Sequence, residues 1–205
     1  MPSRNVTKQH KAESYYHVYA RRASKEPLFV DENDYLYFIN LFQRYLSKEP
    51  TLDSSNVAYR KHDESIELLA YCLMSNHFHL FIYQEDAESM ARFMKSVMTS
   101  YSMYFNKRHN RTGPLFESRY KASRIDNEAY LLHISRYVHL NPRYWQRYPY
   151  SSVQYYISST EPPSWLKTKR INDLFTSPAM YKQFLTDYED KKLMIDEIKY
   201  QLADQ

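Results

Sequence analysis

The chain has 205 residues, a formal net charge of +4, one cysteine, one glycine and 22 tyrosines. A single glycine cannot build the Gly-rich loops that cradle nucleotide phosphates, so Walker-type and dinucleotide-binding sites are excluded. A single cysteine rules out an internal disulfide and fits a reducing cytoplasm, while the mildly basic balance permits nucleic acid without demanding it.

No apolar run approaches the roughly 18 residues of a membrane span, and Met1 to His10 lacks a signal-peptide core, so no membrane partner is expected. Ser14 to Arg21, rich in aromatic and β-branched residues, predicts a first strand with Arg22 at its end. Asp31 or Asn33 then caps a helix to about Ser47, with Tyr35, Phe38, Ile39, Phe42, Tyr45 and Leu46 at helical spacing. Glu49 to Ser65 is polar and reads as a loop. Leu68 to Tyr83 holds two apolar runs around Ser75-Asn76, the pattern of two adjacent strands joined by a tight turn.

Ala87 to Asn106 carries a continuous apolar stripe from Met90 to Phe105, whose methionines are core filling. A basic turn follows, then an extended segment to Ile125. Asp126 or Asn127 caps a helix to about Leu140, ended by Pro142. Beyond Tyr148 the composition shifts to Pro, Ser and Tyr. Short helices are expected over Ser151–Ile157 and Ile171–Phe175 and a longer one over Pro178–Leu202. The expected domains are residues 1–150 and an accessory helical extension, 151–205. The order strand, helix, strand, strand, helix, strand predicts an α+β fold: a ferredoxin-like split βαβ antiparallel sheet with helices on one face. The helix ending at Leu140 covers the other.

Chemistry concentrates on that other face. His77 and His79 alternate with Phe78, so both point one way, and two imidazoles side by side can hold a divalent metal. Such a pair alone is more often structural; the helix from Asp126 raises its significance. There Tyr137 and Asn141 lie four apart, beside the stripe of Leu131, Ile134 and Val138, with His133 one turn earlier as a candidate helper. Two imidazoles and an Asn carbonyl could hold Mg²⁺ or Mn²⁺, with a phosphate oxygen and water completing the shell, and the phenol could attack a phosphodiester. A structural zinc site is disfavoured because Cys72 is the only thiol. Arg21, Arg22, Arg119, Lys121 and Arg124 fall at strand ends near this face and are the candidate phosphate contacts.

Residues Tyr71 to Leu80 (Tyr-Cys-Leu-Met-Ser-Asn-His-Phe-His-Leu) resemble the signature strand pair of the single-tyrosine HUH transposases. Arg136-Tyr137-Val138-His139-Leu140-Asn141-Pro142 resembles the catalytic-helix motif of the REP-associated tyrosine transposases, and Tyr15-Tyr16-His17-Val18 with Arg21 is similar to their first strand. The segments Tyr101 to Asn106, Thr112 to Phe116 and Arg119 to Lys121 continue the likeness, which spans about residues 14 to 155 in order. It implies a bacterial, cytoplasmic, DNA-associated enzyme that cuts and joins single-stranded DNA beside hairpins. Tyr137 would be the nucleophile, forming a 5′-phosphotyrosine intermediate, with His77, His79 and Asn141 as the ligands. Departures are Ser75 where proline is usual, Arg22 where glycine is usual, and Arg143-Tyr144 where Val-Arg follows Asn-Pro. A catalytically silent hairpin-binding protein is the alternative, and a monomer or a homodimer is equally compatible.

Overall fold

A computed structural model describes residues 10–23, 26–126 and 128–187. Four strands, β1 (Ser14–Arg21), β2 (Ile66–Met74), β3 (His77–Gln84) and β4 (Lys121–Ile125), form one antiparallel sheet in the order β2-β3-β1-β4. Between them run α1 (Glu32–Leu46) and α2 (Ser89–Arg108); α3 (Glu128–Leu140) follows β4. This is the expected ferredoxin-like arrangement: β1 and β2 are separated by the inserted β3. The extended segment before Ile125 is shorter than expected, only its last five residues pairing as β4. Asn127 and the span 188–205, which held one candidate cap and the end of the last expected helix, lie outside the described residues.

The Asp31 carboxylate caps α1, accepting from the Asn33 and Asp34 amides at 3.0 and 3.3 Å. Asp34, in the first turn and fully buried, accepts from Arg108 at 2.7 Å and pairs with His109 at 3.0 Å, tying the start of α1 to the end of α2. Both helices cover one sheet face, where Val18, Leu73, Phe78, Leu80 and Ile82 meet Phe38, Phe42, Phe93 and Val97. The Ser75-Asn76 turn is held from outside: Ser75 O accepts from the Leu28 and Phe29 amides at 2.6 and 3.0 Å, and Asn76 O from the Arg22 amide at 3.0 Å.

A bulge between Leu68 and Ala70 shifts the parity of β2, so both Leu69 and Ala70 join the second face. That face is covered by α3, whose Leu131, Ile134 and Val138 are buried as the spacing predicts. The C-terminal segment does more than append to this core. Val153, Tyr156, Ile171, Tyr181 and Leu185 are buried in it. Ser151 and Ser152 do not begin a helix as expected; they run along β2, with Cys72 bridged to Ser151 and the Ser152 amide donating to Tyr71 O at 3.0 Å. The free edge of β2 is thereby closed. Three short helices follow, α4 (Gln154–Ile157), α5 (Lys169–Asn172) and α6 (Pro178–Thr186). Among the described residues, no helix is long and apolar enough to cross a membrane.

Candidate active site

The strand register assembles one polar patch at the end of the second face. Across β1 and β3, Arg21 pairs with His77 and Tyr19 with His79; across β2 and β3, Met74 pairs with His77 and Cys72 with His79. The His77 and His79 rings lie 4.9 Å apart, nearly perpendicular. Each is held through its Nδ1. His77 Nδ1 is 2.6 Å from Asn76 Oδ1, which can only accept, so the His77 proton sits on Nδ1 and Nε2 keeps its lone pair. His79 Nδ1 is 2.9 Å from His17 Nε2.

Helix α3 brings its phenol and carboxamide to these rings. The Tyr137 ring packs edge-on against His79 at 5.2 Å and against His17 at 5.4 Å. Asn141, just past the end of α3, lies within electrostatic reach of both His77 and Tyr137, raising the His77 imidazole and lowering the Tyr137 phenol. The helix is fixed in rotation from behind. His139, fully buried, bonds the Tyr181 hydroxyl through Nδ1 at 2.7 Å and the Ser152 hydroxyl through Nε2 at 2.8 Å. The Arg136 guanidinium lies 3.5 Å from the Phe184 ring centroid. Residues 152–184 thus set which side of α3 faces the imidazoles.

Burial dominates the electrostatics. It pulls His77 down to about 4, with the Arg21 charge adding to the effect, and lowers His79 well below the usual imidazole range, with His17, His77 and Arg21 adding. Both rings are neutral at pH 7, the form that ligates metals. Burial pushes the Tyr137 phenol up to about 12, against which the neighbouring Asn141 carboxamide works. Tyr137 is therefore a protonated phenol until something lowers its pKa. Cys72 is buried and its thiol is held protonated by desolvation, which removes it as a ligand.

The donor set fits a divalent cation in part: two neutral imidazoles and one amide oxygen. Among the described residues, no group of three or more His, Cys, Asp and Glu side chains could hold a metal. A cation here would take its remaining ligands from water and substrate oxygens.

The basic residues separate by face. Arg21 is exposed beside His77, and Lys121, exposed opposite Tyr19, has its Nζ 5.8 Å from the Tyr19 ring centroid. Arg119 is exposed just before β4. Arg124 pairs with Tyr16, on the opposite face, and its guanidinium reaches Asp126 at 3.4 Å. Arg22 does not reach the surface as expected. Its side chain points away from that of Arg21, is buried, pairs with Glu26 and Pro27 O, and lies 5.0 Å over Phe105. His133 is half-buried; the imidazoles against Tyr137 are His17 and His79. His17 joins the site although no motif in the sequence singles it out. Its signal was available: it has the parity of Tyr19 and Arg21 in a strand otherwise filled with aromatic and aliphatic groups.

A ferredoxin-like sheet with a His-x-His pair facing Tyr137 and Asn141 is the arrangement that the resemblance to single-tyrosine transposases leads one to expect. The sequence profile described as "Transposase IS200 like" matches residues 10–141, and the chain belongs to that family. Among solved structures, a REP-associated tyrosine transposase bound to a REP hairpin superposes with a TM-score of 0.56 at 10% identity, covering 80% of this chain and 91% of that one. Curated protein sequences give no match.

Proposed function

We propose that this chain cleaves and rejoins single-stranded DNA beside hairpins, with Tyr137 as nucleophile and His77, His79 and Asn141 holding Mg²⁺ or Mn²⁺. The observation that carries the reading is the packing of Tyr137 on His79 within one chain, with Asn141 acting on both His77 and Tyr137. Family membership supports the DNA chemistry, and the solved relative bound to a REP hairpin supports a hairpin substrate.

When bound, the cation supplies Lewis-acid polarisation of the scissile phosphate. Asn76 and His17 hold the imidazole orientations. Asn141 orients the phenol and lowers the cost of its ionisation. Tyr137 Oη gives up its proton to solvent water, attacks phosphorus and forms a Tyr–O–P bond as the P–O3′ bond breaks. The 3′ oxygen takes a proton from solvent water and leaves as a hydroxyl, and the 5′ end stays on the protein. Attack by another 3′-hydroxyl reverses the step and joins strands. Arg21, Lys121 and Arg119 contact phosphates near the cut; Arg124 contacts them further away, and Arg22 braces the hairpin turn from within.

Incubation with a hairpin-bearing single strand and Mn²⁺ is expected to yield a covalent protein–DNA adduct that survives denaturing electrophoresis, and Tyr137→Phe is expected not to form it. Tight hairpin binding by the wild-type chain without a metal-dependent adduct would establish the catalytically silent alternative.

A further inference from the structure

Five described histidines are buried or largely buried: His17, His62, His77, His79 and His139. His139 shows what a purely structural one looks like here, with a hydroxyl on each nitrogen. His17 differs. It is wholly buried, its Nε2 bonds His79 Nδ1 at 2.9 Å, and its own Nδ1 has no partner. Leaving one side of a buried imidazole unpaired costs stability that a leucine in the same space would not incur. Packing alone therefore does not call for histidine. The nitrogen that is used is spent on one residue, His79.

The arrangement repeats at the neighbouring ring. His77 Nδ1 is bonded to Asn76 Oδ1, and His79 Nδ1 to His17 Nε2. Of the two ways to place the proton between His17 and His79, one puts it on His79 Nδ1 and leaves His79 Nε2 unprotonated. The other protonates His79 Nε2 and closes it to any cation. The two rings stack at 5.0 Å with 13° between planes, and His17 also supports the Tyr137 ring.

We propose that His17 is a positioning residue for the site: its Nε2 accepts the His79 Nδ1–H, which fixes the His79 tautomer and ring plane so that Nε2 is available to a divalent cation. The inference rests on the reading of His79 as a ligand. Outer partners of ligating histidines commonly contribute 10- to 100-fold in metal affinity, and the same scale is expected here.

Mn²⁺ binding to the full chain, read from the free-ion EPR signal without DNA, tests this. His17→Phe, which fills the space but cannot accept a hydrogen bond, is expected to weaken Mn²⁺ binding by about 10- to 100-fold. His17→Gln, with an acceptor oxygen near the Nε2 position, is expected to recover most of it. A melting curve shows whether each variant is folded. A folded His17→Phe that binds Mn²⁺ like wild type, while His79→Ala has lost it, overturns the role of His17 and leaves the metal reading standing. A wild-type chain that binds no Mn²⁺ sinks both. Long-range ¹H–¹⁵N NMR of the wild-type chain loaded with Zn²⁺ decides the matter if His17→Phe does not fold. His79 must carry its proton on Nδ1 with coupling across to His17 Nε2, and a His79 protonated on Nε2 overturns the proposal.

Discussion

The two faces of the sheet obey the same alternation but end in different chemistry. On the face under α1 and α2, Val18, Leu73, Phe78, Leu80 and Ile82 lie in an unbroken apolar core. On the face under α3, apolar packing around Phe81, Val138 and Trp145 gives way toward the turn to His17, His79, His77, Tyr137 and Asn141. The first face supplies cohesion. The second accepts desolvated imidazoles and a phenol held far from its ionisation range. Polar groups kept buried at such cost are the usual mark of a site.

Substitutions that remove chemistry from the second face and cohesion from the first break this comparison most cleanly. Tyr137→Phe keeps the ring and loses only the hydroxyl, so adduct formation should be abolished while the melting temperature barely moves. On the first face Phe78→Ala acts in reverse: urea denaturation should show a loss of about 3–5 kcal/mol, the cost of truncating a fully buried phenylalanine. A Phe78→Ala chain as stable as wild type would contradict the division of labour.

The backing of α3 sharpens the comparison. Tyr181→Phe leaves the buried His139 Nδ1 without its partner and should cost about 1–3 kcal/mol. Because that bond fixes the rotation of α3, the adduct rate should drop as well, although Tyr181 lies on the far side of the helix from the rings.

Acid should find the imidazoles. Burial lowers His17 and His139 to about 3 and His77 to about 4 from an ordinary value of 6.5. Between pH 6.5 and 4 the unfolded chain therefore binds more protons than the folded one, and stability rises with pH across that window. Thermal melts should be flat above pH 7 and fall progressively as pH drops from 6.5 toward 4. A melting temperature constant down to pH 4 would mean that these rings are not buried as neutral groups. The smallest effect expected is at the rim: Lys121→Ala should weaken hairpin binding only a few-fold and reduce the salt slope by about 1.

Much of this was legible in the residues themselves. The strand over Ser14–Arg21, the turn at Ser75-Asn76, and the helix that carries Tyr137 and ends just before Asn141 all follow from period-2 and period-3.6 spacing, because each element is long and strongly patterned. His17 was missed because its parity tells which face it takes but not that His79 lies beside it, which only the register shows. Arg22 was misread because a charged residue beside an exposed one suggests surface, whereas alternation turned it inward onto Phe105. Residues 151–185 looked accessory because their helices are too short to show a period. Their buried Val153, Tyr156 and Tyr181 reveal their role only through long-range contact with α3 and β2.

The account stands on one phenol among 22 tyrosines. Peptide mapping by mass spectrometry of the adduct formed with a hairpin-bearing strand and Mn²⁺ tests it most directly. The DNA 5′-phosphate should be found on Tyr137 and should disappear when Mn²⁺ is chelated. A nucleotide attached to any other residue, or an adduct indifferent to chelation, would contradict it.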